Sequence, residues 1–154
     1  MTEPLTFRAA ARADLEAIVA LLADDALGAT REDPSVPLDP GYERAFASIA
    51  SDPAHDLLIA ERGEVLMGVL QLSVLPNLTY RGRPRAQIEG VRVSAAARGQ
   101  GIGGALVEEA VRRAEAAGCH LVQLTTDKQR PEALRFYEGL GFVASHEGMK
   151  LRLP

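Results

Sequence analysis

The residues best suited to chemistry in this chain are the run Arg98-Gly99-Gln100-Gly101-Ile102-Gly103-Gly104 and a carboxylate ahead of it, Glu89. Glycines without Cβ atoms let successive backbone N–H groups point into one concavity. At a helix start, those amides and the positive end of the helix dipole make a cradle for an anion such as a pyrophosphate. Gly99-x-Gly101-x-x-Gly104 also satisfies a dinucleotide-binding fingerprint, with Asp127 as an acid beyond the next strand. Such a turn usually follows the first strand of its domain. Here it ends at residue 104 of 154, leaving too little chain for further βα units.

Glu89 lies in the strand-like run Ala86 to Val93, where alternation places Gln87, Glu89, Val91 and Val93 on one face and Ile88, Gly90 and Arg92 on the other. A carboxylate in a mostly apolar strand needs solvent, a partner or a raised pKa, and the last suits a base at neutral pH. The alternative role is structural or substrate-orienting. Gly90 marks a bulge that would re-aim a backbone amide. His146, beside Glu147 in a turn, has an imidazole able to act as an alternative base, or simply to be solvated. Cys119, the single cysteine, excludes an internal disulfide and a thiolate metal cluster within one chain, and reads as small core filler rather than a reactive thiol.

These residues need a scaffold. Leu5 to Ala10 alternates as a strand, and Ala13 to Leu27 carries Leu15, Ile18, Val19 and Leu22 at helical spacing. A loop with prolines and acids, Gly28 to Gly41, leads to a helix over Tyr42 to Ala50. Leu57 to Arg62 and Val65 to Leu75 form a hairpin through Arg62-Gly63-Glu64, and Arg81, Arg83 and Arg85 make a basic tip before the strand Ala86 to Val93. The glycine run then opens a helix over Ala105 to Ala117, which Gly118 ends. A strand over Cys119 to Thr126 completes a βαβ unit. Pro131 suits the first turn of a helix over Glu132 to Leu140; extended segments follow at Phe142 to Ala144 and Met149 to Leu153. The order predicts an α/β fold with a mixed sheet in which only the middle is a parallel crossover.

A length of 154 residues, 47% of them hydrophobic, fits one domain over residues 1–154 with a core of its own. The 17 basic against 21 acidic residues give no field that would draw in nucleic acid or a membrane surface. No apolar run approaches the ~20 residues of a membrane span, and Met1-Thr2-Glu3-Pro4 lacks the marks of a signal peptide, so the expectation is a cytoplasmic chain.

The pattern Arg98-x-x-Gly101-x-Gly103, shortly after a strand ending at Val93, resembles the acetyl-coenzyme A loop of the GNAT superfamily of N-acetyltransferases. The resemblance extends to Ala133-Leu134-Arg135-Phe136-Tyr137-Glu138-Gly139-Leu140-Gly141-Phe142, which is similar to the family's helix-to-strand passage, and covers essentially the whole chain. It implies a mixed, mostly antiparallel central sheet with a splayed parallel pair, flanked by about four helices. It further implies that acetyl-CoA is the co-substrate, that amides from Arg98 through Gly104 hold its pyrophosphate, and that the backbone of Val91 and Val93 pairs with its pantetheine arm. The amide near Val91 would stabilise the tetrahedral oxyanion, and no metal is needed.

By the same resemblance, Glu89 deprotonates an acceptor amine and Tyr137 protonates the departing thiolate; the other reading of Tyr137 is a core residue beside Phe136. The acceptor side would involve Tyr42, the loop before it, the basic tip and His146. Arg130 stands where family members often carry asparagine, so that residue's role is not carried over. The implied activity is acetyl transfer to a primary amine of a small molecule or peptide by direct attack in a ternary complex. The alternative is a non-catalytic acyl-CoA-binding sensor or regulatory module. Exposed strand edges allow a homodimer.

Overall fold

Alternating apolar residues in three long runs build the middle of a sheet, and the computed structural model describes residues 2–154 around it. The strands are β1 (Leu5–Ala9), β2 (His55–Arg62), β3 (Val65–Leu75), β4 (Arg85–Val93) and β5 (Val122–Gln123). They lie in the order β1-β2-β3-β4-β5; neighbours are antiparallel except for the parallel pair β4 and β5. The longer helices are α1 (Leu15–Ala23), α2 (Pro40–Ser51), α3 (Ile102–Ala116) and α4 (Pro131–Gly139). The mixed, mostly antiparallel sheet is therefore the one expected. The chain divides into two compact units, one ending at Gln123 and the other running from Leu124 to Pro154.

Within the first unit the sheet is covered on both faces. Ile18 and Leu21 of α1 pack with Ile59 and Val69. The opposite face meets α3, because a Cβ built on Gly68 would stand 3.4 Å from Leu106 and 3.6 Å from Ile102. Leu58, Leu70, Ile88, Ile102 and Leu106 are all but inaccessible to solvent, as expected where a sheet and a helix bury their apolar sides together. The second unit holds α4, which Pro131 opens and Gly141, at φ +95°, closes. In it Tyr137 meets Phe136 and Phe142 edge-on, with ring centroids 5.0 Å and 5.8 Å apart.

Several expected boundaries move. The helix expected over Ala13 to Leu27 is a 3-10 turn at Arg12–Asp14 followed by α1, which stops at Ala23. Asp24 and Asp25 follow at the negative end of its dipole, and Asp25 instead accepts the Gly28 amide at 2.5 Å. The helix after the glycine run starts at Ile102, so Gly103 and Gly104 lie in its first turn. The strand expected over Cys119 to Thr126 is confined to Val122–Gln123, and those expected over Phe142 to Ala144 and Met149 to Leu153 do not form. Val143, Met149, Leu151 and Leu153 are 81%, 92%, 88% and 82% exposed. Alternation records which side of a strand would be apolar; a strand also requires ladder pairing, and these segments have none among the described residues.

Candidate functional site

The glycine run sits where β4 gives way to α3. Ala95–Ala97 forms a 3-10 turn, after which Gly99 (φ +78°) and Gly101 (φ +75°) take left-handed conformations open to glycine at little cost. Gly101 is the residue ahead of α3, so the first-turn amides of that helix have no intrahelical acceptor. A Cβ built on Gly99 or Gly101 would meet no protein atom within 4 Å, so the glycines answer to backbone conformation and leave open space over the loop. Arg98 is exposed, and its guanidinium has no partner among the described residues. This concavity, with its unpaired amides and a free cation, fits a pyrophosphate group. Sequence reasoning missed its anchor: Arg62 of β2 donates to Gln100 Oε1 at 3.0 Å, and Gln100 Nε2 donates to the Ala96 carbonyl at 3.1 Å.

Ahead of the loop, β4 and β5 part. Only Ala86 and Gln87 pair with Val122 and Gln123, so from Ile88 to Val93 that edge of β4 has no ladder partner in this sheet. An extended, amide-bearing ligand can add to such an edge as a strand would. Val91 and Val93 lie on this open stretch.

The side-chain geometry corrects the simple alternation along β4. Gln71 opposes Glu89 and Val69 opposes Arg92, so Leu70 alone spans Gly90 and Val91, a β-bulge in which Gly90 has φ +63°. The extra residue reverses the faces beyond it. Glu89 therefore shares a side with Gln87 and Arg92; Val93, opposite Gly68, lies on the side of α3. The Glu89 carboxylate is exposed and forms no hydrogen bond or ion pair among the described residues. Arg92 is 3.7 Å from Asp25 through its Nε, and its Nη1 donates to the Val91 carbonyl at 2.8 Å.

The remaining sequence candidates have other surroundings. The Tyr42 hydroxyl, at the start of α2, accepts the Asp33 amide at 3.0 Å and so ties down the loop before the helix. His146, in the second unit, has its Nδ1 2.7 Å from Ser145 Oγ and is exposed. Tyr137 is in that unit as well, in the aromatic cluster described above. The structure thus brings Glu89, Val91, Val93 and Arg98 through Gly104 together along one strand, turn and helix start. Cys119 is half-buried, and burial pushes its thiol pKa up, away from the reactive thiolate. Among the described residues no helix is long and apolar enough to cross a membrane.

A mixed sheet with a bulged, half-released strand leading into a glycine turn and a helix N-terminus defines a class of α/β proteins with a split sheet. Within that class the chain belongs to the GNAT family of acetyltransferases, whose model matches residues 17–142. It is 35% identical over 88 residues to glucosamine 6-phosphate N-acetyltransferase of Trypanosoma brucei brucei, covering 57% of this chain but only 58% of that protein. It is 33% identical over 106 residues to aminoalkylphosphonate N-acetyltransferase of Salmonella typhimurium, covering 68% of each. A crystal structure described as a transcriptional regulator from Bacillus halodurans C-125 is 55% identical, covers 97% of this chain and 100% of its own, and superposes with a TM-score of 0.95.

Proposed function

We propose that this protein is an acetyl-CoA-dependent N-acetyltransferase that acetylates a primary amine of a small molecule or peptide by direct attack in a ternary complex. The observation that carries the reading is the continuity of the released β4 edge with the left-handed glycine turn at the start of α3. Relatives that act on an amino sugar phosphate and on aminoalkylphosphonates support an amine acceptor. In this reading the amides of Gly99 through Gly104 hold the pyrophosphate, Arg98 adds its guanidinium while its own amide is bonded to the Ala95 carbonyl at 3.4 Å, the backbone of Val91 and Val93 pairs with the pantetheine, and the bulge beside Gly90 turns an amide toward the thioester carbonyl.

Glu89, exposed and unpaired, takes a proton from the acceptor's ammonium group, directly or through water, and so frees the nitrogen lone pair to attack. The amine nitrogen bonds to the acetyl carbon, the carbon–sulfur bond breaks as Tyr137 gives a proton to the departing thiolate, and the second proton shed by the nitrogen as the amide forms restores the phenol through water. The binding of both substrates at once supplies alignment, which accounts for much of such a rate. Tyr42 and His146 are assigned to the acceptor side.

The test is release of CoA thiol from acetyl-CoA across a panel of amines, with acetylated product identified by mass. Turnover that Tyr137→Phe leaves unaltered in a chemistry-limited assay removes the acid assignment. A second reading, a non-catalytic acyl-CoA-binding regulatory module, is favoured by one observation: the relative at 55% identity is described as a transcriptional regulator. That reading requires acetyl-CoA binding, seen as a thermal shift, with no thiol release over the whole panel.

A further inference from the structure

On the α1 side of the sheet, polar residues line up across strand after strand. His55 of β2 opposes Ser73 of β3, Ser73 opposes Gln87 of β4, and Gln87 opposes Gln123 of β5. Directly opposed residues share a face, and Gln71 and Glu89 continue that face one step further along. The row is hydrogen-bonded: His55 Nδ1 is 2.8 Å from Ser73 Oγ, Gln71 Nε2 donates to Ser73 Oγ at 3.5 Å, and Gln123 Nε2 donates to Gln87 Oε1 at 2.8 Å. Arg85, two residues before Gln87, donates to Gln123 Oε1 at 3.3 Å and holds the far end.

These bonds orient the two amides nearest Glu89 and leave half of each unspent. Gln71 presents its carbonyl oxygen and Gln87 its NH2, neither with a partner among the described residues. A hydroxyl, which donates once and accepts twice, matches an acceptor beside a donor. An alkyl chain placed there would strip water from both amides and return nothing. Charge narrows the choice further. Glu89 is the carboxylate that the strands bring to this face, with the cations Arg85 and Arg92 beside it and Asp25 3.7 Å from Arg92, so the second ammonium group of a polyamine would find no further carboxylate among these strand residues.

Resting on the acetyltransferase reading, we propose that the acceptor is a monoamine bearing several hydroxyl groups, its amine at Glu89 and its hydroxyls at Gln71 and Gln87. A site built to hydrogen-bond a substrate hydroxyl rejects the analogue that lacks it far more strongly than an apolar pocket rejects a missing methylene.

The experiment measures CoA thiol release with D-glucosamine, cyclohexylamine, spermidine and Nα-acetyl-lysine amide, in the native protein, Gln87→Leu and Gln71→Leu. Expected is a kcat/KM for glucosamine at least 100-fold above that for cyclohexylamine. Each variant should lower that ratio at least tenfold, chiefly through the KM of glucosamine, with the KM of acetyl-CoA unchanged. Equal or better turnover of any of the other amines, or an unaltered ratio in both variants, overturns the proposal. Absence of thiol release with every amine defeats the catalytic reading instead. In that event, calorimetric titration of glucosamine into the CoA-loaded protein decides the row separately: binding lost in Gln87→Leu supports it, and no binding by the native protein overturns it.

Discussion

A carboxylate can serve as a base only if it is reachable and not already neutralised by a partner, and Glu89 meets both conditions. The ladder explains why: ahead of the bulge at Gly90, Glu89 lies opposite Gln71 and two residues from Gln87, on the face away from α3. On the proposed mechanism, Glu89→Gln lowers kcat/KM by about 100-fold or more, the usual worth of a positioned base. Because the side chain is exposed and unpaired, the melting temperature should stay where it is; a variant with native kcat/KM across pH would remove the base assignment. Glu89 itself was legible in the sequence as a lone acid in an apolar strand. Its companions Gln71, Ser73 and Gln123 were not, because their meeting depends on the register of separate strands.

Elements carry the next level of constraint, and the start of α3 shows it most clearly. Gly101 holds φ +75° with no atom near an added Cβ, so substitution there costs conformation rather than space. Gly101→Val should cost about 1–2 kcal/mol of stability and raise the KM of acetyl-CoA. Gly101→Asn, whose side chain tolerates the left-handed region, should do less of both; equal effects from the two would place the glycine's role elsewhere.

The other end of α3 is clamped to the sheet by Arg113, which donates to Glu109 at 3.0 Å and to Asp56 of β2 at 2.5 Å. Arg113 first and Arg112 second hold the Glu109 carboxyl below its ordinary pKa. A pKa lower in the folded than in the unfolded state gives stability that is present above the unfolded value and lost as pH falls through the folded one. Glu109→Gln should therefore cost about 1 kcal/mol near neutral pH and progressively less as the pH falls below the unfolded carboxylate value of about 4.3, read from urea midpoints across that range. Helix and strand types were legible from periodicity. Ends such as Ala23 and Ile102 depended on caps and dipoles that periodicity does not register.

At the scale of the whole molecule, stability is unevenly distributed. Leu58, Ile59, Val69, Leu70 and Ile88 lie on the three central strands with almost no exposure, whereas the described chain after Gly141 forms no helix or strand and leaves Val143, Met149, Leu151 and Leu153 exposed. The sequence announced strands there because Met149, Leu151 and Leu153 alternate with Lys150 and Arg152. It could not announce an edge for them to pair with, since an edge is a property of the assembled fold. Amide hydrogen exchange separates the two regions directly. Amides of β2 and β3, strands with neighbours on both sides, should exchange at rates near those of global unfolding, and those of residues 143–153 close to the intrinsic rate at low protein concentration. If residues 143–153 pair with a second copy, their protection must rise with concentration, because association is bimolecular while a pairing within one chain is not. Strong, concentration-independent protection of Leu151 and Leu153 would contradict the exposure of this segment.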